Sequence, residues 1–186
     1  MILITLYISI MSIKLTYSEM TMDDVEEVFS IQNSSYENSI GEPVSLTFLK
    51  CVVCGCPDFA LIARDENGTI VGGMIGATTK GKPCMENLYT LNHPEADHVV
   101  THSLFVKPEF KGKGIGQQIA EYYFKEWIPN HIIIENYRSN LKYCFIHSID
   151  RHYKWNESLG FRAIGLSEDI KLPNGEPYIE FIMDIK

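Results

Sequence analysis

The sequence predicts a single mixed α/β domain with the element order β-α-α-β-β-β-α-β-α-β-β. Three observations predict it. Short β-rich runs are interleaved with segments that carry apolar residues at helical spacing. Asn67-Gly68 stands between two such runs in residues 59–79, and that dipeptide favours the left-handed turn of a hairpin. A lysine- and glycine-rich stretch, "VKPEFKGKGIG" at 106–116, separates a strand from a helix late in the chain.

The elements follow in order. "IKLTYS" (13–18) alternates apolar and polar residues and predicts the first strand. Thr21 then caps a helix whose early acids, Asp23 and Asp24, suit its positive end, with Met22, Val25, Val28 and Phe29 as the apolar stripe. Residues 33–43 are a loop, and "SLTFLKCVVCG" (45–55) predicts a short second helix closed by Gly55 and Pro57. The hairpin at 59–79 comes next, followed by a long polar segment at 80–97 of the kind that often serves as a binding loop. "HVVTHSLFV" (98–106) is the fourth strand. The helix behind it buries Gly116, Ile119, Ala120, Tyr123 and Trp127, and Pro129 lies just past its end. "LKYCFIHS" (141–148) reads as a buried strand, and "DRHYKWNESLGF" (150–161) as a short helix that enters a strand through Gly160. Pro173-Asn174-Gly175 turns the final hairpin.

A chain of 186 residues supplies one domain with a full core. Its formal charge of −8 disfavours nucleic acid as the main partner, since phosphate binding shows as a basic surplus. An acidic balance suits a cationic small substrate, and equally a protein that is merely soluble. The five cysteines are odd in number and irregular in spacing. "CVVCGC" (51–56) has no second Cys/His pair at ligand spacing, so no metal is expected, and free thiols in a reducing, cytoplasmic compartment are the expectation. The apolar start, "MILITLYISIMSIK", lacks a basic n-region and a cleavage site and is too short to span a bilayer. Residues 1–12 are therefore read as an N-terminal extension, with Met11 the more natural start, and 13–186 as the domain.

The helix mouth at 111–116 carries the chemistry. The first turn of a helix leaves backbone N–H groups unpaired beside the positive end of its dipole. Glycines let an anion approach that backbone, and Lys111 and Lys113 add charge, which together make a phosphate cradle. A plain glycine hinge with solvated lysines is the competing reading. A dinucleotide fingerprint requires its glycines after the first strand, and these follow a late one; a Walker A loop requires Ser or Thr after Gly-Lys, which Gly114 does not supply.

The third candidate is the pyrophosphate site of a coenzyme A-dependent acetyltransferase, and here the chain resembles the GNAT superfamily of N-acetyltransferases. That superfamily's Gln/Arg-x-x-Gly-x-Gly/Ala signature stands as Lys111-Gly112-Lys113-Gly114-Ile115-Gly116, with Lys111 in place of Gln or Arg. Its second motif, a strand, a short helix and Gly-Phe, matches "YCFIHSIDRHYKWNESLGF". Within the superfamily, Cys56-Pro57 before the second strand and a long loop before a His-bearing fourth strand look like the serotonin (arylalkylamine) N-acetyltransferase branch.

The resemblance implies the acyl-CoA N-acyltransferase fold, acetyl-CoA as cosubstrate, and a small arylalkylamine or polyamine as acceptor. The alternatives are a protein N-terminus or lysine as acceptor, or a non-catalytic acyl-CoA-binding module. It implies no nucleic-acid or membrane partner and leaves a homodimer open. It further implies that Leu104, Phe105 and Val106 pair their backbone with the pantetheine arm, and that amides from Gly112, Lys113, Gly114, Ile115, Gly116 and Gln117 hold the pyrophosphate. Of the branch's two histidines on the fourth strand, only the second has a counterpart, His102; Val100 stands at the other. Strand alternation would put His102 on the face of Val100, Leu104 and Val106, either as a base that takes the amine's proton or as a core histidine. The family's usual acid, a tyrosine four residues before the motif glycine, is replaced by Asn156, which could hydrogen-bond the sulfur but not protonate it. Tyr153, one helical turn earlier, is the nearby phenol, either an acid or a packing residue. Glu86, Glu95 and Asp97 are candidate ammonium partners or surface acids.

Overall fold

The structure, a computed structural model, describes residues 13–37, 42–135 and 138–185. The extension at 1–12, with the expected start at Met11, lies outside the described residues. The elements are β1 (Thr16–Glu19), α1 (Val25–Tyr36), α2 (Leu46–Gly55), β2 (Ala60–Arg64), β3 (Ile70–Thr79), β4 (His98–Val106), α3 (Ile115–Tyr122), β5 (Tyr143–Ser148), α4 (Tyr153–Leu159), β6 (Arg162–Lys171) and β7 (Pro177–Asp184). This is the order the sequence predicts.

All seven strands form one sheet in the order β1-β2-β3-β4-β5-β7-β6. Every neighbouring pair is antiparallel except β4 and β5, which run parallel. Helices cover both faces. Gln32 of α1 meets Ser103 of β4 on one side, while a side chain at Gly72 of β3 would strike Ile119 of α3 on the other. The core joins both layers, with Phe59, Phe105, Phe145, Phe181 and Tyr123 among its largest wholly enclosed side chains.

Local differences from the sequence reading have physical causes. Met22 is exposed, because the first turn, Met22–Asp24, is a 3₁₀ turn that rotates it out of the stripe Val25 and Val28 begin. Thr21 does mark the helix start: its N–H and its hydroxyl both donate to the Asp24 carboxylate, at 2.9 and 2.7 Å. The helix predicted to end before Pro129 instead continues from α3 as a π-wound segment, Tyr123–Glu135, with Pro129 inside it. Ile128 and Ile132 keep the apolar stripe buried across the proline, and the wider winding accommodates the backbone bond that proline cannot make.

Asp24 also pairs with Arg64 at the end of β2, tying the first helix to the sheet. Burial raises its carboxyl pKa, but the Thr21 hydrogen bonds and the Arg64 guanidinium outweigh this and hold it below the usual carboxylate range. A carboxyl depressed in the folded state stabilises the fold above its unfolded pKa, and that stability is lost as pH falls through the folded value. Asp24→Asn should therefore cost about 1–3 kcal/mol in urea unfolding at pH 7, and the difference from wild type should shrink as the buffer is acidified toward about pH 3.

Candidate functional site

The site begins with one irregularity in β4. Ile75 of β3 lies opposite Ser103, and the next residue, Gly76, lies opposite Thr101. His102 is thus the extra residue of a β-bulge, which bends the strand and interrupts its alternation. Past that point β4 and β5 part company: their last paired residues are Thr101 and Ile146. β4 continues beside β3 to Val106 and β5 continues beside β7 to Ser148. A cleft of about 470 Å³ opens between them, reaching from Tyr36 on the α1 side to Trp155 and Asn156 of α4 on the other.

The bulge corrects the expected orientation of His102. Leu104 and Val106 do turn toward α3, where both approach Gly116. His102 instead turns to the α2 side. Its ring meets Phe48 edge-on with centroids 4.9 Å apart and stacks on Tyr89 at 5.5 Å, while Val100 packs with Leu88 and Ile170. Phe105 is buried, and its ring occupies the space a side chain at Gly73 would need, so that its backbone alone is left for a ligand.

The helix mouth stands at the end of β4's free edge. Gly112 and Gly114 take φ values of +74° and +77°, and nothing lies within 4 Å of where their side chains would start. Positive φ admits glycine readily and the open space admits a ligand. The amides of Gly112, Lys113, Gly114, Ile115, Gly116 and Gln117 donate no backbone hydrogen bond among the described residues, whereas Lys111 donates to Pro108 and Gln118 to Gly114. That is an anion cradle built from main chain. The lysines contribute less directly than their sequence suggests. Lys111 Nζ donates to the Ser35 carbonyl at 2.6 Å, near the end of α1, and Lys113 Nζ sits 5.2 Å over the Phe110 ring.

Asn156 is 1 % exposed, lines the cleft, and its side-chain amide nitrogen is enclosed without a partner. Tyr153 is not beside it: its ring packs against Phe181, centroids 5.2 Å apart, and it lines neither cavity. The phenol that does reach the cleft is Tyr36, whose hydroxyl lies 3.2 Å from Ser103 Oγ.

A second cavity, about 1000 Å³, adjoins the cleft on the α2 side. Thr101, His102 and His147 line both cavities and so stand at the boundary between them. Phe48, Tyr89 and Tyr178 supply aromatic wall, and Glu42 and Asp169 supply carboxylates. Glu86, Glu95 and Asp97 are absent from that lining. Glu95 pairs with Lys80 on the surface, and Asp97 accepts from the Gly81 amide at 2.7 Å while facing His98. The long polar segment contributes through Met85, Leu88 and Tyr89 instead.

His147 was not singled out in the sequence. It is the first residue of β5 beyond the last rung with β4, as His102 is on β4. Burial pulls His102 down to about 4, with His147 adding to the fall; His147 is also near 4, burial outweighing the carboxylates of Glu180 and Asp169. Both imidazoles are therefore neutral at neutral pH and able to accept a proton. Among the described residues no group of His, Cys, Asp and Glu could hold a metal ion, and no helix is long and apolar enough to cross a membrane.

The acetyltransferase (GNAT) family model matches residues 25–142, well over half of the chain. Among curated proteins none matches. The fold is shared with several solved structures. The loading GNATL domain of CurA from Lyngbya majuscula has a TM-score of 0.70 at 13 % identity over 92 % of this chain and 98 % of that one. The ribosomal-protein-S18-alanine N-acetyltransferase from Escherichia coli has 0.62 at 13 %, over 93 % and 95 %. The N-acetylglutamate synthase from Neisseria gonorrhoeae, complexed with coenzyme A and N-acetyl-glutamate, has 0.62 at 16 %, over 93 % of this chain and 35 % of that one. A parted β4–β5 pair, a glycine-rich helix mouth beside it and this family match define an acyl-CoA-dependent N-acetyltransferase. The chain belongs to the GNAT acetyltransferase family, and acetyl-CoA is its cosubstrate.

The enclosed amide of Asn156 gives a test of the cleft. Asn156→Leu removes a buried donor that has no partner, so the ligand-free melting temperature should hold or rise. Calorimetry with coenzyme A should show affinity weakened about fivefold, the worth of one hydrogen bond of about 1 kcal/mol.

Proposed function

We propose that the protein transfers the acetyl group of acetyl-CoA to a small primary amine of the arylalkylamine or polyamine type. The observation that carries this reading is the junction of the two cavities at Thr101, His102 and His147. The pyrophosphate would sit on the free amides from Gly112 to Gln117, and the pantetheine arm along the β4 edge at Leu104, Phe105 and Val106. The thioester would then reach the junction, with Asn156 Nδ2 a donor toward its sulfur. The second cavity fits an amine in two respects: Phe48, Tyr89 and Tyr178 suit an apolar or aromatic arm, and Asp169 and Glu42 suit an ammonium. Tyr89 is 59 % exposed and Met85 54 %, apolar surface that an acceptor would cover.

A protonated amine cannot attack a thioester, so its proton must leave before or during attack. The neutral His102 at the junction is placed to take it. Coenzyme A thiolate is a tolerable leaving group, which suits a site with Asn156 where the family usually has tyrosine.

Turnover followed by thiol release across a panel of arylalkylamines, polyamines and short peptides tests the reading. Acetylation of one or more small amines, with peptides poor, is the expected result. Peptides as the better acceptors would transfer the activity to protein substrates, and tight acetyl-CoA binding without turnover would leave a binding module. Gly114→Glu should fold, since that side chain meets open space, at a cost of roughly 1–2 kcal/mol for its left-handed backbone. It should abolish coenzyme A binding by bulk and charge; unchanged affinity in calorimetry would remove the helix mouth from the site.

A further inference from the structure

We infer that His147 acts with His102 as one proton-accepting unit, and that buried Glu180 makes His147 the member from which the amine's proton leaves for solvent. The inference rests on the acetyl-transfer reading above and adds the second histidine and its support.

The backbone places the pair. Thr101 and Ile146 form the last β4–β5 rung, and the next residue on each strand is a histidine. Both line both cavities, and in both rings Nε2 is enclosed without a hydrogen-bond partner. A buried imidazole nitrogen with no partner is costly unless something in the working site meets it. Two of them, at the point where thioester and amine would meet, indicate a shared task.

The two rings have different surroundings. His102 lies between Phe48 and Tyr89, and its polar support is the Leu88 backbone carbonyl. His147 packs on Phe145 and Tyr178 and stands opposite Glu180 in the β5–β7 register. Its Nε2 is 3.9 Å from Glu180 Oε1. Glu180 is 2 % exposed and is also held by Lys82 Nζ at 2.6 Å. Asp169 of β6 adds a second carboxylate facing His147, and Lys82 opposes both. The carboxylates favour a proton on His147, and a proton there disfavours one on His102, so the pair takes up no more than one proton at a time.

The step balances as follows. The amine nitrogen forms its bond to the thioester carbon, and the carbon–sulfur bond breaks with its electron pair leaving on sulfur. The ammonium loses one proton before attack and the second as the amide forms; each in turn passes to His102 and on to His147, or to His147 directly, and from there to solvent through the acceptor cavity before the next is taken up. The thiolate takes a proton from water of the cleft.

The test combines kinetics with an activity-free measurement. With a good amine and saturating acetyl-CoA, His102→Gln and His147→Gln should each lower kcat on the order of 10²-fold, the range for losing a general base. KM for acetyl-CoA should stay within roughly twofold, and the double variant should be no worse than the poorer single by more than about threefold, because the two residues work as a unit. Full activity in a folded His147→Gln protein, or losses that multiply in the double variant, would overturn the inference. Imidazole NMR on wild-type protein should show the first proton entering His147. Glu180→Gln should move that titration to lower pH, and His147→Gln should move the His102 titration to higher pH. A first proton on His102, or two imidazoles each indifferent to the other's removal, would overturn it as well. If wild-type protein acetylates no amine, the acetyl-transfer reading fails, and the NMR result still decides the pairing.

Discussion

The parting of β4 from β5 after Thr101 and Ile146 is the constraint on which the rest of the site depends. A parallel pair that stayed together to the end of both strands would bury its backbone groups in a ladder and leave no cleft. Here the extra residue in β4 bends that strand while its pairing with β3 is kept, and β5 is kept by β7. The sheet therefore opens at one seam without losing an edge elsewhere. Everything functional hangs on the seam. The free edge of β4 leads through a short turn, Pro108–Phe110, to the glycines at 112 and 114, the second cavity joins at the vertex, and α4 presents Asn156 from the far side.

The distribution of enclosed, unpartnered polar atoms follows the same seam. Among the side chains of the described residues they belong to Gln32, Thr101, His102, His147 and Asn156. Four of these line the cleft, and Gln32 is joined to it through Ser103, whose hydroxyl lies 3.1 Å from the Gln32 oxygen. Each such atom costs on the order of 1–3 kcal/mol unless a ligand or water meets it. Elsewhere the fold is conventional in its polar pairing: Trp127 donates to the Asp58 carbonyl and Arg138 to the Asp58 carboxylate. A fold that concentrates its unmet hydrogen-bonding capacity in one place has reserved that place for a ligand, and the continuous apolar core offsets the cost.

The sequence disclosed those parts of the site that are local in the chain. The hairpin around Asn67-Gly68, the helix start at Thr21 and the cradle from Gly112 to Gln117 each rest on a few adjacent residues whose chemistry is visible in order. What it hid depends on pairing between distant segments. Strand alternation assigns His102 to the Leu104 face, and only the mismatch of β4 against β3 reverses that. His147 sits in an apolar run where a lone histidine reads as core, and its meaning comes from the residue beside it across the seam. A signal was present: within "YCFIHS" alternation puts His147 with Tyr143 and Phe145, opposite Cys144 and Ile146, which already sets it off from the most apolar face. Spacing on α4 leaves Tyr153 either an acid or a packing residue, and only its tertiary contact with Phe181 shows the packing. The acids of the long polar segment were plausible by charge alone, but Lys80, Gly81 and His98 engage two of them.

The balance of groups at the junction points to the step that this site has been built to ease. On the leaving side stands an amide, Asn156, which can donate to sulfur but supplies no proton. On the attacking side stand two neutral imidazoles, one of them backed by a buried carboxylate. An amine that enters among carboxylates enters as ammonium, and those same carboxylates make its proton harder to remove. In the proposed reading Asp169 serves both ends of that conflict: it lines the second cavity and also favours the charged form of His147. A carboxylate in that position raises the proton affinity of the acceptor as well as of the amine, so binding the ammonium need not leave the proton stranded on the substrate.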